Sequence, residues 1–250
     1  MVMFLTSLLR THYYDENGNR VPIAFVNENG ILTDILKYLK RKNRLVIVAN
    51  DQYDSADNDQ KLATVCESFR LAGVKFNDCV MLDARNKDKA KQIISGSDMV
   101  ILTGGKCVCQ AEFFREMGLK GILKKYDGIV VGVSAGTMNL CKTVANFPEE
   151  IADIEDERWF DGMGFADEII IPHYDGQTDS YQFPCEDFDI AKDYILPMSK
   201  ERSLVGIPND SYILIESDGQ KNYCGDVYAI ENGKSKKLNV KISQSSTSGK

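Results

Sequence analysis

The chain has 250 residues, of which 43% are hydrophobic and 27% charged, and its formal net charge is −7. This length can bury one large core or two small ones, and the proportions are those of a soluble globular protein. An acidic chain without a basic stripe argues against a nucleic-acid partner, and no apolar run approaches the roughly 20 residues of a membrane-spanning helix.

Seven scattered cysteines indicate reduced thiols in a cytoplasmic protein. The one close pair, Cys107 and Cys109, is separated by a single residue, which is a poor frame for a zinc site or a disulfide. Residues 1–10 resemble a signal peptide but lack a basic start and have a short apolar part, so we interpret them as a first buried strand. We expect no metal and no organic cofactor.

Strand-like and helix-like segments alternate through the first 145 residues. Apolar runs predict strands, at residues 4–8, 45–49, 78–82, 99–102 and 129–133. Apolar residues at helical spacing predict helices, at residues 31–39, 60–72, 87–95 and 110–125. Residues 11–21 are polar and predict an exposed loop or hairpin.

This alternation predicts an α/β fold with a mostly parallel sheet and helices on both faces, in which ligands bind at the carboxyl ends of the strands. Beyond residue 145 the pattern loosens. An acidic surface excursion at 147–160 is followed by more elements, namely strands at 168–171, 204–207, 211–217 and 222–230 and a helix at 187–199. We expect one domain over residues 1–242 and a disordered tail over 243–250.

The sequence Gly-Val-Ser-Ala-Gly at residues 132–136 follows a β-branched strand and precedes a helical segment. A strand, a sharp turn and a helix with serine at the apex expose the Ser134 hydroxyl as a nucleophile. The amide of Ala135 opens the helix and can point at a developing oxyanion. A chance turn is the alternative, but the context favours a nucleophile.

A serine nucleophile needs a base, and the chain has two histidines, His12 and His173. His173 ends a predicted strand and follows a proline, which places it at the same edge of the sheet as Ser134, whereas His12 lies in a polar loop. His173 follows Ser134 by only 39 residues, and the serine turn itself follows several strand–helix units. This order of the motifs along the chain argues against an α/β-hydrolase esterase.

A carboxylate or amide must orient the imidazole, and several residues qualify. The segment 206–211 offers Asn209 and Asp210 after a late strand, and other candidates lie closer to the histidine: Asp175, Glu186 and Asp187. The glycine pair at residues 104 and 105 lets a backbone N–H turn into the site, where it can serve as a second hydrogen-bond donor to the oxyanion.

Four motifs together carry a family resemblance: Leu-Thr-Gly-Gly at 102–105, the serine turn at 132–136, Ile-Pro-His at 171–173 and Gly-Ile-Pro-Asn-Asp-Ser at 206–211. In order and spacing they resemble the peptidase E family of aspartyl dipeptidases and related cyanophycinases, over about residues 1–231. The resemblance implies a class I glutamine-amidotransferase-like, flavodoxin-like three-layer fold and a serine peptidase. It also implies that Ser134 is the nucleophile, that His173 is the base, and that the amides of Gly105 and Ala135 donate hydrogen bonds to the oxyanion.

The chain departs from the family pattern at three places. Asn209 stands at the acid position, Lys106 replaces an asparagine, and residues 146–148 replace a segment of the aspartyl dipeptidase site, so N-terminal aspartate specificity is not implied. We favour Asp210 over Asn209 as the orienting residue, because a carboxylate stabilises the imidazolium better.

We therefore predict a cytoplasmic serine exopeptidase that acts on short peptides as a monomer or homodimer. The rival hypotheses are a binding or regulatory protein that lost its acid, and a hydrolase of another amide or ester.

Overall fold

The computed structural model describes residues 1–146, 158–176 and 189–238. Its strands, in chain order, are β1 Val2–Thr6, β2 His12–Tyr14, β3 Arg20–Pro22, β4 Arg44–Val48, β5 Asp78–Leu82, β6 Met99–Leu102, β7 Ile129–Val133, β8 Thr143–Ala145, β9 Trp159–Asp161, β10 Ile170–Pro172, β11 Leu204–Ile207, β12 Tyr212–Ile215, β13 Lys221–Cys224, β14 Tyr228–Glu231 and β15 Lys234–Lys237.

The α-helices are α1 Ile31–Tyr38, α2 Ser55–Leu71, α3 Ala90–Ser95, α4 Cys107–Glu116, α5 Leu119–Leu123, α6 Ala135–Leu140 and α7 Leu196–Met198. Two 3₁₀ turns, Glu28–Gly30 and Lys87–Lys89, precede α1 and α3, and a π-helical segment, Ile190–Ile195, leads into α7. Within the described ranges, none of these helices combines the length and the apolar character that crossing a membrane requires.

A seven-stranded sheet in the order β13-β12-β1-β7-β6-β4-β5 carries the main core. Five neighbouring strands, β1, β7, β6, β4 and β5, are parallel to one another. The sheet continues beyond β1 with β12 and β13, each of which is antiparallel to the strand before it in this order. Because crossovers between parallel strands are right-handed as a rule, this strand order puts α1 and α2 on one face and α3 to α5 on the other. The mostly parallel α/β sheet with helices on both faces is therefore confirmed.

A second sheet of four strands, β10-β11-β14-β15, stands beside the first. Its strands β10 and β11 are parallel, and Ile171 pairs with Gly206. Some of its buried residues, including Ile171 and Ile230, form a separate apolar cluster with the π-helical segment and α7, while Ile170 and Ile207 belong to the main core. The strand that precedes His173 thus belongs to the smaller sheet, not to the sheet that carries Ser134.

Several elements differ from the sequence prediction. Helix α2 begins at Ser55, before the predicted residue 60, because the Asp54 side chain accepts a hydrogen bond from the Asp57 amide and caps the helix. The predicted helix at 110–125 is two helices, and the predicted strand at 222–230 is β13 and β14. The expected excursion at 147–160 falls mostly outside the described residues, and the predicted tail and domain boundary lie wholly outside them.

Candidate active site

Ser134 lies at the turn between β7 and α6 with φ 50° and ψ −114°, outside the regions that a side chain normally allows. Its amide donates to the Thr6 carbonyl of β1 at 2.9 Å, and its carbonyl accepts from Met138 at 3.0 Å. A Cβ on Gly136 would overlap the carbonyl oxygen of Leu102, so glycine is needed where α6 crosses the end of β6. The turn is therefore held against β1 on one side and β6 on the other.

Two buried threonines reinforce this turn. The Thr6 hydroxyl donates to the Gly132 carbonyl at 2.9 Å, and the Thr137 hydroxyl donates to the Thr6 carbonyl at 2.7 Å. The Thr6 amide in turn donates to the Thr137 hydroxyl at 2.9 Å. Because both side chains are fully buried, these hydrogen bonds are shielded from water and fix the strained serine.

His173 follows β10 with φ 60°, a left-handed conformation that is uncommon for a residue with a side chain. Its amide donates to the Ser7 hydroxyl at 3.0 Å, and that hydroxyl donates to the Ile207 carbonyl at 2.6 Å. Its Nε2 lies 3.0 Å from Ser134 Oγ. Although the two residues follow strands of different sheets, the structure brings the predicted serine and histidine into hydrogen-bond contact.

The other imidazole nitrogen, Nδ1, lies 2.5 Å from Oδ1 of Asn209. An amide oxygen can only accept, so Nδ1 carries the proton and donates it to this bond. Nε2 is then unprotonated and faces the Ser134 hydroxyl as an acceptor. Asn209 therefore fixes the tautomer of His173 that a general base requires.

Asp210, which we favoured from the sequence, does not contact His173 in this way. Its carboxylate receives two hydrogen bonds from Arg10, at 2.5 and 2.6 Å, and its carbonyl accepts from the Asn29 side chain at 2.6 Å. The preference for Asp210 over Asn209 is therefore wrong about the contact. Neighbouring side chains of a tight turn point in different directions: Asp210 turns to Arg10, from the loop after β1, and Asn209 turns to His173.

Burial lowers the pKa of the His173 imidazole below the usual value of 6.5, and the hydrogen bond to Asn209 opposes this shift. The imidazole is consequently neutral at pH 7, the state in which it can accept a proton. Of the other candidates for orienting it, Asp175 lines the cleft beside the imidazole, and Glu186 and Asp187 lie outside the described residues.

The glycine pair lies directly beside the serine. A Cβ on Gly104 would come within 3.0 Å of the Ser134 Cβ, and Gly105 has φ 142°, in a region that side chains rarely adopt. Ala135 is the first residue of α6, so its amide has no acceptor within the helix. The two predicted oxyanion donors therefore belong to backbone segments that flank Ser134.

A polar cleft of about 490 Å³ adjoins His173 on the side of Asn209, and Arg10, Asp175 and Asp226 contribute charges to its wall. His12, the other histidine, contacts Thr11 and Tyr14 on the hairpin of β2 and β3 and takes no part in this constellation. Within the described residues, no group of three or more His, Cys, Asp or Glu side chains is arranged to hold a metal ion.

Three residues that support the site were not identified from the sequence: Thr6, Ser7 and Asn50. Asn50 is a buried side chain two residues after the end of β4, and it hydrogen-bonds to the backbone of Lys106. A sequence signal existed, since polar residues that directly follow an apolar parallel strand lie at the ligand-binding edge of the sheet. Their partners, however, are distant in the sequence and could not be identified from it.

Comparisons with known proteins agree with this architecture. No curated protein matches the sequence significantly. Among solved structures, a candidate peptidase E from Listeria monocytogenes EGD-e superposes with a TM-score of 0.56 at 14% sequence identity, covering 90% of this chain and 98% of that chain. At this identity the similarity establishes the fold alone. The profile of peptidase family S51 matches residues 27–222, which is most of the chain, and the protein therefore belongs to this family of serine peptidases.

Proposed function

We propose that this protein is a serine exopeptidase that hydrolyses short peptides with Ser134 as nucleophile and His173 as general base. The observation that carries the proposal is the continuous chain of contacts from Ser134 Oγ to His173 Nε2 at 3.0 Å and from His173 Nδ1 to Asn209 at 2.5 Å. A hydroxyl, a base and a group that orients the base are the parts that acyl transfer needs.

In the proposed reaction, His173 accepts the hydroxyl proton as Ser134 attacks the scissile carbonyl, and then returns that proton to the leaving amine. The amides of Gly105 and Ala135 stabilise the oxyanion of the tetrahedral intermediate, each by about 3–4 kcal/mol in comparable sites. Water then repeats the sequence on the acyl-enzyme, and no metal or organic cofactor is required in this scheme.

Asn209 favours a second candidate function, a binding or regulatory protein that retains the fold. An amide orients the imidazole but carries no charge to stabilise the imidazolium that forms during acyl transfer. The two candidates differ in a measurable way, because a binding protein would retain peptides without cleaving them.

The test is to incubate the protein with a dipeptide and tripeptide library and to identify the products by mass spectrometry. A fluorophosphonate probe, followed by peptide mapping, identifies the reactive hydroxyl independently. We expect cleavage of unblocked peptides and a label on Ser134. Cleavage of other amides or esters alone would redefine the substrate, while no cleavage and no label would favour the binding protein.

The proposal also places the protein in a reducing compartment, the cytoplasm. The described part of the chain contains six of the seven cysteines, and all six are free thiols, which suits a cytoplasmic protein. Whether it acts as a monomer or a homodimer is a matter for measurement of its mass in solution.

A further inference from the structure

Asn50 lies two residues after the end of β4, and its side chain reaches across to the glycine loop, residues 103–106, which follows β6. Its Oδ1 accepts from the Lys106 amide at 2.9 Å, and its Nδ2 donates to the Lys106 carbonyl at 3.0 Å. One buried carboxamide therefore satisfies both backbone polar groups of a single residue in the loop. Such a double contact fixes the orientation of the adjoining peptide groups.

The same side chain is packed against Gly105. A Cβ on Gly105 would come within 3.0 Å of Asn50 Nδ2 and still closer to its Oδ1 and Cγ. On the other side of the loop, a Cβ on Gly104 would come within 3.0 Å of the Ser134 Cβ. The glycine loop thus fills the space between Asn50 and Ser134, and no side chain fits at Gly105 while Asn50 occupies its position.

The base of the loop has separate anchors. The Thr103 amide and hydroxyl both donate to the Val48 carbonyl, at 3.2 and 2.9 Å, and Gln110 Nε2 donates to the Thr103 carbonyl at 2.6 Å. These contacts hold residue 103 to β4 whether or not Asn50 is present. Beyond the glycine pair, the Lys106 carbonyl also accepts from the Gln110 amide at 3.1 Å, as the first hydrogen bond of α4. Asn50 contributes the hydrogen bond to the Lys106 amide and the packing against Gly105, so its loss is expected to loosen the peptide group between Gly105 and Lys106 more than the base of the loop.

We propose that Asn50 is a positioning residue, which holds the Gly105 amide in the orientation that receives the oxyanion. This inference rests on the proposed function, because it assigns Asn50 a part in the same reaction. An oxyanion donor is effective only when it is oriented before the charge develops. Gly105, at φ 142°, belongs to the residue type with the most alternative conformations, so an outside contact is needed to select one.

The chain offers a matched control in Asn86. Its Oδ1 accepts from the Asp83 amide at 3.1 Å, and its Nδ2 donates to the Met81 carbonyl at 2.8 Å. Asn86 therefore makes the same two kinds of side-chain bond to the backbone, but at the turn after β5 and away from Ser134 and His173. Loss of either side chain removes two such bonds, so a difference in catalysis cannot be attributed to the number of bonds lost.

The experiment compares Asn50→Ala with Asn86→Ala in peptide hydrolysis and in inhibition by a peptide aldehyde, whose hemiacetal oxygen occupies the oxyanion position. We expect Asn50→Ala to lower kcat about 10- to 100-fold with KM nearly unchanged, and to weaken the aldehyde by a similar factor. Asn86→Ala is expected to retain kcat and inhibitor affinity. Equal kinetics in the two variants would overturn the inference.

Asn50→Asp keeps the proposal testable if the alanine variant does not fold. Aspartate retains the acceptor for the Lys106 amide but places a carboxylate oxygen against the Lys106 carbonyl, so kcat is again expected to fall. A folded Asn50→Asp protein with normal kcat would refute the role of Asn50 while leaving the peptidase intact. A wild-type protein that cleaves nothing and takes no fluorophosphonate label would instead refute the proposed function, and the role of Asn50 with it.

Discussion

The two halves of the candidate site rest on different kinds of support. Ser134 is held by fully buried threonine hydrogen bonds that join β1 to β7 and to α6. The His173 half depends on the turn that carries Asn209, and this turn is fixed from outside by the pair of Arg10 and Asp210, whose side chains are 49% and 34% exposed.

The support of Ser134 is buried and that of the Asn209 turn is exposed, but both halves depend on contacts between residues that are distant in the chain. The strand, serine turn and helix are encoded within residues 129–140. The threonine hydrogen bonds that hold this turn, however, span 126 and 131 positions. In the other half, the His173 amide bonds to a residue 166 positions away, and Arg10 and Asp210 are 200 positions apart. Substitutions in the two halves should therefore differ in what they cost.

The largest effect is expected from Ser134→Ala in the buried half. Removing the proposed nucleophile should lower kcat about 10⁴-fold or more, since such a constellation works as a unit. The fold should remain, because the backbone contacts of residue 134 do not involve its hydroxyl. Hydrolysis assays together with thermal unfolding measure both properties. Ser97→Ala, at a buried serine of another turn, is the control, and wild-type turnover in Ser134→Ala would remove Ser134 from the mechanism.

His173→Gln should lower activity nearly as much and should abolish the acidic limb of the pH profile. Since only the neutral imidazole accepts a proton and burial lowers the pKa of His173, activity should rise with pH through a midpoint below 6.5. The measurement is kcat/KM as a function of pH. His12→Gln should leave both the activity and the limb unchanged, and an inactive His12 variant would contradict this assignment.

Asn209→Asp should raise activity, by about tenfold, because a carboxylate stabilises the imidazolium better than an amide does. The same charge favours protonated His173, so the acidic limb should move to higher pH. Both shifts appear in one series of pH profiles. Alanine at this position cannot orient the His173 imidazole, so Asn209→Ala should lose activity. Equal activity of Asn209→Asp and Asn209→Ala would mean that the contact with Asn209 has no catalytic importance.

The smallest effect is expected from Asp210→Asn, which weakens the exposed support without touching His173. We expect a loss of only a few-fold in kcat/KM and at most about 1 kcal/mol in the free energy of unfolding, as is usual for exposed ion pairs. Arg10→Gln should have the same effect, and the double variant should be no worse than either single one. A loss approaching that of His173→Gln would restore Asp210 as the direct partner.

The sequence specified the large sheet well. Residues 78–82 and 99–102 were predicted to the residue, because compact apolar runs are bounded there by polar or glycine residues. The start of α2 was missed because its first turn is polar and solvated, so that only the cap of Asp54 marks it. Local sequence pattern therefore predicts the apolar body of a strand or helix more reliably than the residue at which its polar end begins.

The serine and the histidine of the candidate site could be identified from the sequence, but the residues that support them could not. Ser134 and His173 were identified by residue type and by their positions after strands. The choice between Asn209 and Asp210 depended on Arg10, which no local pattern connects to residue 210. Asn50 and Ser7 were missed for the same reason, since each acts through backbone groups of a segment remote in sequence.

The positive φ angles of Ser134 and His173 have a consequence for stability. Each such conformation costs of the order of 1–3 kcal/mol in a residue with a side chain, and glycine relieves part of that cost. A peptidase that works through these two side chains would have to retain them despite the penalty. Replacement by glycine at either position is therefore expected to increase thermal stability while it removes a side chain that the proposed reaction uses.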